Sequence, residues 1–175
     1  MDFSSTNPVT ASYWNGIRRL FVVWAVIILA GFTFTYFAQT LSPTNINLSW
    51  TVLACIGLVY SKKQMPFSDW ALRNIFFAWL GIIIFGIAVS QAAFFWSPLF
   101  FVTSYLGAFW LLLMAFGHAV TGIIDRKKVY IFTVAAQLTV AAFIYIFANS
   151  MPTLYTLQYL VAGVVGSASM LLLLL

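Results

Sequence analysis

Acidic side chains are almost missing from this 175-residue chain, which has only Asp2, Asp69 and Asp125. All three lie at or beyond the ends of apolar runs, so no carboxyl group is available within them. Paired-carboxylate chemistry and intramembrane aspartyl proteolysis, which need two acids facing one substrate, are thereby excluded. The same lack counts against proton- or sodium-coupled transport, which ordinarily uses an intramembrane Asp or Glu. Passive permeation, or delivery driven by a partner's ATPase, escapes that objection.

Other chemistry-bearing residues are equally scarce. A lone cysteine, Cys55, allows neither an intrachain disulfide nor a thiolate cluster for zinc. His118 is the only histidine and has no CxxCH around it. With Met114 one turn away it still makes too few ligands for copper or haem, so no metal and no cofactor is expected. The "GSAS" stretch at 166–169 lacks the Gly-x-Ser-Gly setting of a rhomboid nucleophile, and its order relative to His118 is reversed. No catalytic residue is assigned.

Charge is the third shortage. Charged residues make up 6% of the chain and hydrophobic ones 63%, whereas a soluble domain carries about 25% charged residues. The net charge of +5 comes from eight cations in three separated clusters. That is too sparse and dispersed to follow a phosphate backbone, so no nucleic acid is expected as a partner.

What is present is long apolar sequence. Crossing ~30 Å of hydrocarbon takes ~17–25 apolar residues. The uncharged stretch from Asn74 to Ile124 is about twice that length, and Pro98 lacks the amide that a continuing helix needs. The chain is therefore expected to turn at Ser97-Pro98. This gives an all-α fold, a polytopic integral membrane helical bundle of six transmembrane helices at about 20–40, 46–60, 69–96, 99–124, 129–149 and 155–175. Residues 1–19 form a cytoplasmic or interfacial segment, and 20–175 a single domain. The first run follows "RRLFVV" but is too long for a cleaved signal and has no small-x-small site after it. The closing "MLLLLL" has no polar tail, which reads as a trimmed end.

Orientation follows from the cations. With six crossings, Arg18, Arg19, Lys62, Lys63, Arg73, Arg126, Lys127 and Lys128 all fall on one side. The positive-inside rule makes that side, and both termini, cytoplasmic. Tyr13, Trp14 and Trp70 are expected at the inner interface, and Trp50 and Trp96 at the outer one. Ser68, followed by Asp69, reads as the N-cap of the third helix.

Pro43, Pro98 and Pro152 lie 55 and 54 residues apart, each followed seven residues later by an aromatic: Trp50, Tyr105 and Tyr159. Three copies of one helical hairpin account for this period, and so do three unrelated hairpins of equal length. A true repeat keeps each unit in the same direction, which implies an axis along the membrane normal.

Polar residues within the runs follow helical spacing. The fifth run carries Tyr130, Thr133, Gln137, Ala141, Tyr145 and Asn149 along one face, and the fourth Ser104, Gly107, Leu111, Met114, His118 and Thr121. The sixth has Gln158, Ala162, Gly166 and Ser169, and small residues four apart allow close helix approach. Less regular sets are Gly81, Gly86, Ser90 and Gln91 in the third run, and Gly31, Thr35 and Gln39 in the first. Gln137, nine residues past Lys128 at ~1.5 Å each, belongs near mid-membrane, where its carboxamide needs partners. In an antiparallel hairpin the depth of His118 matches Thr133, so that hydroxyl is expected beside the imidazole.

Two functions accommodate these features. The first is a non-catalytic membrane subunit or scaffold that works by packing against other membrane proteins or against copies of itself in the bilayer. The alternative is a small channel or solute-binding component whose path is lined by Ser104, His118, Thr133, Gln137 and Gln158. In size and number of spans the chain is similar to substrate-binding components of energy-coupling-factor vitamin transporters, with no shared motif to carry residues across.

Overall fold

The structure, a computed structural model, describes residues 8–38, 43–65, 69–125 and 128–174, and among them every regular element is helical. Helix α1 runs Pro8–Phe37, α2 Pro43–Gln64 and α3 Trp70–Phe95. A 3-10 turn at Ser97–Leu99 and the short α4, Phe100–Ser104, lead into α5, Leu106–Asp125; α6 is Val129–Phe147 and α7 Pro152–Leu172. Expectations for Ser68 and Gln39, for Arg126 and Lys127, and for the side chains of Tyr13 and Trp14 fall outside the described residues.

The chain does turn at Ser97-Pro98. The fourth apolar run, read as one span over 99–124, is divided at Tyr105, whose φ of −125° and ψ of 38° lie off the helical basin. α1 also begins earlier than the first run, because helix continues through polar residues ahead of Arg18. At the start of α3 the cap is Asp69, whose carboxylate accepts from Ala71 N at 2.8 Å and Leu72 N at 3.1 Å. These bonds satisfy two amides that an uncapped helix end leaves open.

Among the described residues, five helices are long and apolar enough to cross a membrane: Arg18–Phe37 of α1, then α3, α5, α6 and α7. The 22-residue α2 does not reach that hydropathy. Thr44, Asn45, Asn47 and Ser49 dilute its first turns, and Lys62, Lys63 and Gln64 its last. The long helices nevertheless alternate in direction. Trp24 meets Gly57 while Gly31 meets Trp50, so α1 and α2 are antiparallel. Asn47 to Gln91, Trp79 to Gly117 and His118 to Gln137 extend the alternation through α2–α3, α3–α5 and α5–α6. Arg18, Lys62, Lys63, Arg73 and Lys128 consequently stand at one end of the bundle.

The packing order explains where space is left. α1 lies most extensively against α7, and α5 against α6; further contacts join α1 to α2, α2 to α3, α3 to α5 and α5 to α7. Five helices thus form a closed ring, α1–α2–α3–α5–α7, with α6 outside it against α5 and α7. Helices across the ring do not touch through their backbones, so side chains must fill its middle. Four tryptophans, Trp24, Trp50, Trp79 and Trp110, occupy that position. Trp50, expected at the outer interface, is partly buried against the bundle: its ring stacks on Trp110 at 5.9 Å and 12°, and its indole N–H donates to Thr35 Oγ1 at 2.9 Å. Trp70 and Trp96 are 64% and 60% exposed.

Outside the ring the surface is apolar, with Val26, Phe37, Phe95, Ile123, Ile131 and Phe132 among its exposed side chains. A soluble protein does not leave that much apolar surface in water. Lipid is the solvent that suits it.

Candidate functional site

The polar stripes resolve into two zones with different chemistry. At the end away from the cations lies a closed seam. Gln158 on α7 accepts from Gly107 N at 3.1 Å, and its Nε2 donates to the carbonyls of Ser104 at 3.0 Å and Tyr155 at 3.1 Å. The carboxamide is spent on α4, α5 and its own helix. Such close approach needs Gly107, because a Cβ there would sit 2.7 Å from the Gln158 carbonyl oxygen. Ser167 ties α7 to α1 through Ala25 O at 2.9 Å.

The second zone lies at the cationic end, where the ring encloses a cavity of about 260 Å³. Its wall is largely apolar, from Leu20, Phe21, Leu58, Ile75, Ile83 and Met170. Set into it are Ser61, Thr121, Tyr130 and His118, with the exposed Arg18 and Asp125 where the cavity meets the bundle end. A smaller apolar void of about 50 Å³ shares Trp24, Trp79, Ile83 and Met170 with it.

His118 is fixed from several sides. Its Nδ1 lies 3.0 Å from Gln137 Oε1, and the Met114 backbone one turn earlier also bonds to the ring. Trp79 meets the ring edge-on at 5.2 Å and 76°, and Tyr130 lies 6.3 Å away on another side. The ring is 1% exposed and Nε2 has no hydrogen-bond partner in the protein; nor has Nε2 of Gln137, which is 0% exposed. An unmet buried polar group costs about 1–3 kcal/mol. The expected neighbour, Thr133, does not bond to the imidazole; its hydroxyl donates to Tyr130 O at 2.9 Å. Gln137, one turn further along α6, takes the role because its longer side chain reaches across to α5.

The five residues expected to line one path are therefore divided. His118 alone lines the cavity, with Gln137 bonded to it from α6. Thr133 is buried on the same α6 face, while Ser104 and Gln158 belong to the seam. The α5 stripe is buried from Gly107 to Thr121 and the α7 stripe throughout. On α6 the buried face continues from Ala141 through Ile144 and Ala148. Tyr145, expected on that face, is 61% exposed, since a period of 3.6 carries the stripe away from it. Gly81 on α3 is exposed with open space around it.

A recurring arrangement holds the cavity wall, and its spacing stands in the sequence. Trp24, Trp50, Trp79 and Trp110 are each followed by Gly seven residues later and by Ser or Thr four beyond that. In space the pairs are reciprocal: Trp24 lies over Gly57, Trp50 over Gly31, Trp79 over Gly117 and Trp110 over Gly86. Three indoles donate to the hydroxyl one turn past the facing glycine, Trp24 to Ser61 at 2.9 Å, Trp50 to Thr35 at 2.9 Å and Trp79 to Thr121 at 3.0 Å. Glycine lets the indole lie against the helix backbone, and the hydroxyl receives its N–H. In the fourth pair, Ser90 Oγ is buried without a partner.

No protein-family model matches this chain. Neither a curated protein nor a solved structure is significantly similar to it. What the site can do is therefore read from its own chemistry. It is a mostly apolar chamber that adjoins exposed charged groups at the cationic end of the bundle.

Proposed function

We propose that this protein is a membrane-embedded binding component for a small, largely apolar solute, held in the cavity at the cationic end of the bundle. The observation that carries this reading is the cavity itself, about 260 Å³ with a largely apolar wall into which Ser61, Thr121, Tyr130 and His118 are set. Small-molecule sites are mostly apolar with a few placed polar groups, as this wall is. The sealed seam around Gln158 argues against a through-channel and for binding from one side.

In this reading α2 is a sixth crossing despite its lower hydropathy, because it sits antiparallel between α1 and α3 within the ring. The cationic end faces the cytoplasm, which places both termini there. The α1–α2 and α3–α5 hairpins are two copies of one unit. Their tryptophans correspond at offsets of 55 and 60 residues, the second being longer because the 3-10 turn and α4 are inserted. The third hairpin, α6–α7, retains Pro152, Tyr159 and Gly166 at a constant 109 residues from Pro43, Trp50 and Gly57.

Native mass spectrometry of the chain released from mild detergent tests the binding role. A retained small-molecule adduct is expected, and it should be lost in Ile75→Trp, which fills the cavity from α3. An adduct-free chain that instead emerges with stoichiometric protein partners would support the second reading, a scaffold subunit. That reading is favoured by the three bonds sealing Gln158.

A further inference from the structure

We infer that the cavity takes a single-chain anionic amphiphile, inserted tail first from the cationic end, with its acidic head group held at Arg18. This names the solute class for the binding role proposed above and rests on that role.

Shape is the first argument. The lining residues run from Leu58 to Met65 on α2, from His118 to Asp125 on α5 and from Leu72 to Ile83 on α3, which at ~1.5 Å per residue is a depth of about 10–16 Å. Spread over that depth, a volume of about 260 Å³ makes a column about 5 Å across. Carbon atoms in contact stand ~3.5–4.0 Å apart, so one extended hydrocarbon chain fills such a column.

The interior offers nothing to a polar group. Ser61 donates to Gly57 O and accepts from Trp24; Thr121 donates to Gly117 O and accepts from Trp79. The Tyr130 hydroxyl is hydrogen-bonded to Asp125. His118 Nε2 is fully buried and Nδ1 is bonded to Gln137, so neither ring nitrogen is presented to a solute. The rest of the wall is apolar, and the part of the solute held there is apolar too.

Charge distinguishes the two ends of the solute. Arg18 lines the cavity where it meets the bundle end, and Arg19, Lys62, Lys63, Arg73 and Lys128 are exposed at the same end. The described acids there are Asp69 and Asp125. Cations outnumber acids three to one among these residues, which leaves a positive field at the mouth that attracts an anion. A guanidinium pairs with a carboxylate, sulfate or phosphate through two parallel hydrogen bonds, so Arg18 is placed to hold such a head.

Decyl sulfate carrying a diazirine, either at its chain end or beside its head, tests this on the full chain in phosphatidylcholine nanodiscs. Light-activated attachment is mapped by mass spectrometry. The chain-end probe should mark Trp79, Ile83 or Met170, the head-side probe Met65, Leu72 or Leu174 at the mouth, and both marks should be lost in Ile75→Trp. In Arg18→Gln the half-saturating concentration of decyl sulfate should rise about fivefold, the worth of one exposed charge pair, while that of uncharged decanol stays the same. Marks in the reverse order, or an Arg18→Gln variant that binds both compounds as the parent does, overturn the amphiphile inference and leave the cavity as a binding site. Marks confined to outward-facing residues such as Ile131 and Phe132, and unaffected by Ile75→Trp, overturn the binding role itself.

Discussion

Trp79 on α3 lies flat over Gly117 on α5, so close that a Cβ there would stand 2.7 Å from its ring, and donates its indole N–H to Thr121 one turn further on. One contact thus clamps the hairpin, orders the cavity wall and sets the aromatic edge against His118. Gly117→Ala should destabilise the protein by ~1–3 kcal/mol, the usual cost of overpacking. Trp79→Phe should recover part of that loss by removing the larger ring. Reversible unfolding in mixed micelles measures both; additive costs would remove the contact from the explanation.

At Gly107 the obstacle is backbone rather than a ring. The Gln158 carbonyl cannot rotate away, so Gly107→Ala should cost more than Gly117→Ala, and no single side-chain reduction on α7 should rescue it. The same unfolding experiment ranks the two. An opposite order would mean that α5 and α7 are not so closely apposed.

The indole–hydroxyl bonds give an uneven series. Thr35→Val, Ser61→Ala and Thr121→Val each break a bond from a tryptophan and should each cost ~0.6–1.7 kcal/mol, the range for polar contacts between membrane helices. Ser90→Ala removes a hydroxyl that bonds to nothing and should be neutral or mildly stabilising. Equal costs at all four positions would show that Trp110 reaches Ser90 as its counterparts do.

The two buried glutamines should separate stability from binding. Gln158→Leu loses three hydrogen bonds in the seam and should lower stability while leaving solute affinity unchanged once folded. Gln137→Met should do the reverse, with little stability lost because its own unpartnered Nε2 is removed with the bond, and with solute affinity altered through His118. Melting curves and probe titrations on both variants decide whether seam and cavity are independent.

Much of the architecture is legible in the residues, because lipid imposes simple rules. Apolar run length gives six crossings where five described helices reach membrane-spanning length and hydropathy, Pro98 announces a turn, and three-four spacing identifies the buried faces of α5 and α7. Helix periodicity shows which face is polar but not which neighbour it meets, which is why Thr133 looked as suitable as Gln137 for His118. Trp50 resembles an interface anchor until a facing glycine makes room for it against the bundle. The Pro43–Pro98 period conceals the tryptophan–glycine spacing, because the 3-10 turn and α4 place five extra residues between Pro98 and the matching tryptophan. A cavity has no sequence signature of its own, since it arises from the order in which helices close the ring.

Access to that cavity is the most direct check. In a Cys55→Ser background, Ser61→Cys places a thiol on the cavity wall with a change of one atom. A membrane-impermeant thiol reagent should label it in inside-out vesicles but not in right-side-out ones, and Ile75→Trp, which fills the cavity, should slow the labelling. Labelling from the opposite side, or none from either, would contradict a solute-accessible chamber at the cationic end.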